Sequence, residues 1–80
     1  MTFAKLFETE KGQVVVLLQT NEDNEPEIRF FVKPENMGVC STAFGYEEDD
    51  FEGAQEGFDK VTFEMASKAQ EEIFALTKDF

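Results

Sequence analysis

Eighty residues make one domain near the lower limit of what folds without staples, and 18 acidic against 7 basic residues give a formal net charge of −11. With no histidine and a single cysteine, the chain lacks the side chains of Ser-His-Asp and Cys-His catalysis, of histidine-bearing zinc sites and of any intrachain disulfide. The acidity opposes nucleic acid and anionic lipid, while ten phenylalanines supply a core that a disordered acidic chain lacks.

Residues 1–46 read as a β-meander. Phe3 to Thr9 is the first strand, and Glu10-Lys11-Gly12 closes a short hairpin in which the glycine takes a positive φ. Gln13 to Thr20 follows, built on Val14, Val15, Val16, Leu17 and Leu18. Asn21 to Pro26 is a polar turn, with Pro26 kept out of the ladder because it has no N–H to donate. Glu27 to Lys33 alternates, with Ile28, Phe30 and Val32 on one face and Glu27, Arg29, Phe31 and Lys33 on the other. Pro34 to Gly38 turns the chain again, and Val39 to Phe44 is the fourth strand. Connections this short favour antiparallel neighbours. Val14 to Leu18 is apolar on both sides, and Phe31 interrupts the polar face beside it. A sheet with one solvated face alternates more cleanly than this, so the second face is expected to be covered by the helices or by another molecule.

Residues 47–80 form an acidic loop and two helices. At about 100° per residue, Phe51, Ala54, Phe58 and Val61 fall on one stripe. Continuing that phase would bring Glu72 into the stripe, whereas a break at Thr62 repairs it. The reading is therefore one helix over Asp50–Lys60 and a second over Phe63–Lys78, with Thr62 as the second N-cap and Asp49 or Asp50 as the first. The second helix gathers Met65, Ala66, Ala69, Ile73, Thr77 and Phe80 on a broad face flanked by Phe63, Phe74 and Leu76. Gly53 and Gly57 weaken the first helix, which Phe51 and Phe58 are expected to hold against the core.

Little in the chain carries chemistry. Cys40 reads as a small core residue rather than a nucleophile. Carboxylate pairs are unavoidable among 18 acids and specify no acid–base couple. For an EF-hand loop, Asp50-Phe51-Glu52-Gly53 places its glycine too early, and Asn21 to Glu25 has no glycine at all. No catalytic residue, metal site or cofactor is assigned, and the protein is read as no enzyme. Lys5, Lys11, Arg29 and Lys33 interleave with Glu8, Glu10, Glu27 and Glu35, which suggests cross-strand pairs on a solvated face.

The acidic segment remains. Eight carboxylates stand between Glu47 and Glu64 against one lysine, Lys60. Glu48, Glu52, Glu56 and Asp59 fall at helical spacing, where carboxylates one turn apart sit ~5–6 Å from each other, close to the phosphate repeat of a nucleic-acid strand. Glu47, Asp49 and Asp50 extend the row, so these seven residues are the candidate contacts for a basic protein partner. In composition the chain is similar to the small acidic proteins of phages and mobile elements that act as DNA mimics or inhibit nucleic-acid-binding host proteins; the resemblance carries over no residue roles.

The expectation is thus an α+β fold, a four-stranded antiparallel meander with two C-terminal helices on one face of the sheet. The function expected is a cytoplasmic, non-enzymatic binding protein that modulates a basic nucleic-acid-binding protein, with no direct contact to nucleic acid or membrane. The alternative is a dimeric assembly module whose acid serves only solubility, pairing through Phe31 on the other sheet face or through Phe63 and Phe74 on the last helix.

Overall fold

Alternation along the strands and the apolar stripe of each helix give the chain one shared core. In the computed structural model, which describes residues 3–80, the elements run β1 (Ala4–Thr9), β2 (Gly12–Thr20), β3 (Pro26–Val32), β4 (Cys40–Gly45), α1 (Phe51–Asp59) and α2 (Phe63–Thr77). The strands pair antiparallel in the order β1-β2-β3-β4, and both helices pack against the same sheet face. The fold is the expected α+β meander. Met1 and Thr2 lie outside the described residues. No helix of the described chain is long and apolar enough to cross a membrane.

The register explains the core. Phe7 stands opposite Val14, Val16 opposite Phe30, and Leu18 opposite Ile28, so one face is largely apolar, with Lys5 and Thr42 as polar members of its rows. Phe58 of α1 and Ala66, Ala69 and Ile73 of α2 close over it, with Val61 filling the corner between the helices. Burying a phenylalanine of this kind is worth roughly 1.5–3 kcal/mol, and Phe58 is fully enclosed. The β1–β2 turn is Glu10-Lys11, with Gly12 at φ 121°, a left-handed conformation that favours glycine.

Capping fixes where the helices begin. The Asp50 carboxylate accepts from the Gly53 N–H at 3.0 Å, and Thr62 Oγ1 accepts from the Met65 N–H at 3.3 Å. The break at Thr62 is real: its backbone is extended (φ −113°, ψ 168°), which re-phases the second helix.

Several expectations give way to packing. Pro26 is the buried first residue of β3 rather than part of the turn, a position at which its missing N–H costs nothing, and its carbonyl accepts from the Tyr46 N–H. Phe51 does not anchor α1; it is 48% exposed, because it lies at the helix start beyond the sheet's cover, and Ala54 and Phe58 do the anchoring. On α2 the buried positions are Ala66, Ala69, Gln70 and Ile73, whereas Met65, Leu76, Phe63 and Phe80 are exposed. Small alanines let this helix sit close to the sheet, and that docking turns the bulkier residues outward. Cys40 is only half-buried, on edge strand β4.

The charged residues of the meander are also placed differently. Lys5 is no partner in a solvated cross-strand pair. It points from β1 under α1, where its Nζ donates to the carbonyls of Phe58 (2.7 Å), Asp59 (3.2 Å) and Val61 (3.2 Å) and lies 4.9 Å from the Phe58 ring centre. The one ion pair among the described residues, Arg29 Nε to Glu27 Oε2 at 2.7 Å, runs along β3 instead of across strands.

Candidate functional site

The acidic edge is built by the turn after β4 and by the exposed side of α1. Its start is shaped by backbone hydrogen bonds: the Asp50 N–H donates to Glu47 O at 3.0 Å, and the Phe51 N–H to Asp49 O at 2.9 Å. Asp49 takes a positive φ of 65°, and its carboxylate accepts from Asn24 Nδ2 at 3.1 Å, tying this turn to the β2–β3 loop. Aspartate and asparagine are the non-glycine residues that tolerate such a backbone best.

The seven predicted contact residues therefore divide. Asp49 and Asp50 are engaged in holding the turn and the helix cap. Asp59, at the helix end, accepts from Gln55 Nε2 at 2.8 Å. Glu47, Glu48, Glu52 and Glu56 are exposed, and none enters an ion pair among the described residues. Glu48 does not belong to the helical row; the helix begins at Phe51, and the left-handed turn at Asp49 displaces Glu48 from the helical path. Glu52 and Glu56 remain one turn apart, with Glu47 and Glu48 on the approach to them.

A groove opens beside this edge. It encloses about 340 Å³ and is lined by Phe3, Leu18, Pro26, Phe51 and Ala54, with Glu52 on its border. Phe3 and Phe51 are about half exposed, at 56% and 48%. An apolar slot bordered by carboxylate suits a segment that combines an apolar anchor with lysine or arginine. The sequence stripe had assigned Phe51 to the core, so the groove was missed. The signal that could have found it is that Phe51 directly follows a helix cap, where a side chain points past the end of the layer below.

Cations gather at the opposite end of the sheet. A second cavity of about 550 Å³ is lined by Lys11, Lys33, Glu35, Met37, Phe74 and Lys78, among others. Lys33 Nζ donates there to Met37 O at 3.0 Å.

Compared with protein-family models, with curated proteins and with solved structures, the chain finds no match in any of the three.

Two further groups matter for the site's support. Glu27 is buried on the bare side of the sheet, where Arg29 Nε and Gln19 Nε2 (3.0 Å) donate to its carboxylate and Arg29 bridges on to Ser41 Oγ at 2.7 Å. The Arg29 hydrogen bonds hold its pKa below the ordinary 4.5, against the opposing effect of burial. Gln70, unforeseen as a buried residue, accepts from Thr9 Oγ1 at 2.7 Å and donates to Gly12 O at 3.4 Å, fastening α2 to the first hairpin. Among the described residues no three acidic or cysteine side chains converge as metal ligands would. The two alternative dimer contacts lie on different surfaces, as expected: Phe31 is on the bare sheet face, whereas on the helix side Phe74 packs toward the core and Phe63 meets Phe7 edge-on at 6.4 Å.

Proposed function

We propose that the chain is a non-enzymatic binding protein whose α1 edge engages a basic, nucleic-acid-binding protein and blocks or modulates it by standing in for a phosphate backbone. The observation that carries this reading is the pairing of exposed, unpaired carboxylates with an apolar groove. Glu47, Glu48, Glu52 and Glu56 offer negative charge on a turn and helix that capping holds in place, and the Phe3–Phe51 groove beside them offers an anchor point. A groove in the partner that tracks phosphate would release counterions on meeting such an edge, as it does on DNA. The partner's apolar contribution distinguishes this surface from a generic acidic one, since charge alone gives on-rate and steering more than affinity.

The test is capture from a lysate of the source cells on the immobilised chain, at about 50 and 500 mM salt, with duplex DNA as competitor. A basic protein that is retained at low salt, released at high salt and displaced by DNA supports the reading, provided that the Glu48→Gln, Glu52→Gln, Glu56→Gln triple variant loses it while keeping its fold. A folded triple variant that retains the same protein, or capture indifferent to DNA, overturns it.

A further inference from the structure

The helices cover one face of the sheet and leave the other bare. The register places Leu6, Val15 and Phe31 in one row across β1, β2 and β3, with Ser41 completing it on β4. The next row is Ala4, Leu17, Arg29 and Ala43. An antiparallel sheet facing water carries polar residues at such positions; here most are apolar, and Leu6 is 57% exposed.

The charge on this face is as informative as its apolarity. Of the chain's charged side chains, only Glu8, Glu27 and Arg29 occupy its strand positions, and the last two neutralise each other. Glu8 sits at the margin and accepts from Gln13 Nε2 at 3.2 Å. A chain of net charge −11 thus carries one face that is close to neutral. A basic partner gains little there, whereas a second copy brings few charges into direct opposition on this face, because the carboxylates of the α1 edge lie on the helix side of the sheet; the net charge still repels at longer range and is screened by salt.

We infer that this face pairs with the same face of a second copy, giving a two-fold symmetric dimer in which two sheets stack between outer helix layers. Two-fold pairing is the closed arrangement for one self-complementary patch, and stacked sheets with interdigitated side chains are a standard layer solution. Four strands at ~4.8 Å spacing and about 24 Å mean length give a footprint of roughly 450 Å² per copy. The pair then buries about 900 Å², just under the threshold for a specific interface, so the dimer is weak and concentration-dependent. This inference is independent of the α1-edge function and uses none of its residues.

Sedimentation equilibrium of the full chain from about 5 to 500 µM, at low and moderate salt, tests it. The wild type is expected to pass from a 9.1 kDa monomer toward twice that mass, with salt strengthening association by screening the net charge. Leu17→Glu is expected to weaken the dimer at least tenfold. Leu6→Glu, at an exposed edge-strand position that the core does not use, is expected to weaken it as well and guards against a folding defect in the first variant. The Glu48→Gln, Glu52→Gln, Glu56→Gln triple variant is expected to dimerise as the wild type does, which separates this outcome from failure of the functional reading. A monomer at 500 µM overturns the inference. So does a dimer that survives both sheet-face variants but is lost in Phe63→Ser, which would place the contact on α2.

Discussion

Lys5 shows how much a single residue's role depends on what lies above it. In sequence it is one charge among alternating strand residues; in the fold it serves the last two carbonyls of a helix, and that of Val61 just beyond it, more than fifty positions away. Helix α1 has no basic residue in its own last turn, so the cation that complements its C-terminal partial charge arrives from β1. Glu27 makes the parallel case for a carboxylate. Its folded pKa is lowered from 4.5, so the stabilisation it contributes is fully present above about pH 4.5 and is lost as pH falls through the folded value. Comparing urea unfolding of the wild type and Glu27→Gln from pH 7 to pH 3, the stability gap between them is expected to be widest at neutral pH and to shrink below pH 4.5. A gap that stays constant over that range would show that the Arg29 hydrogen bonds do not favour the ionised form.

At the scale of elements, α1 carries an apparent defect that the tertiary fold requires. Gly57 reads as a helix weakener by propensity, yet a Cβ there would run into the Tyr46 hydroxyl and come within 3.2 Å of Ile28 Cδ1. The glycine lets the helix approach the end of β3 and the turn after β4. Gly57→Ala is therefore expected to destabilise by about 1–3 kcal/mol through overpacking, exceeding the ~1 kcal/mol that alanine gains in helix propensity. Chemical denaturation measures the sign directly, and Tyr46→Phe in the same chain is expected to recover part of the loss because the hydroxyl is the nearest obstacle. Helix α2 shows the same dependence on approach: Ala66, Ala69 and Ile73 close over the sheet, Met65 and Leu76 stay exposed, and Gln70 fills the enclosed position by bonding to Thr9 and Gly12.

At the scale of the whole molecule, charge is segregated. The α1 end is acidic, Lys11, Lys33 and Lys78 line one cavity together with Glu35, and the bare sheet face is nearly neutral. With a single ion pair among the described residues against a net charge of −11, repulsion outweighs pairing in the folded state. Raising salt from about 20 to 300 mM is accordingly expected to raise the melting temperature by a few degrees, read at low protein concentration so that association does not contribute. A melting temperature that falls with salt would mean that unrecognised favourable pairs hold the fold together.

The sequence by itself determined the element order, the antiparallel meander, the Thr62 cap and the break between the helices, and it narrowed the first cap to Asp49 or Asp50, of which the fold uses Asp50. These follow from side-chain period and from hydrogen bonds spanning three residues, all of which are local. It also located the acidic segment, though its periodicity placed Glu48 on a helix that had not yet begun. Only the tertiary structure decided that Lys5 caps α1, that Gln70 is buried and that Phe51 borders a groove. Each of these depends on the angle and distance at which a helix meets the sheet. That docking is set by contacts between residues far apart in the chain, where spacing along the sequence carries no information about separation in space.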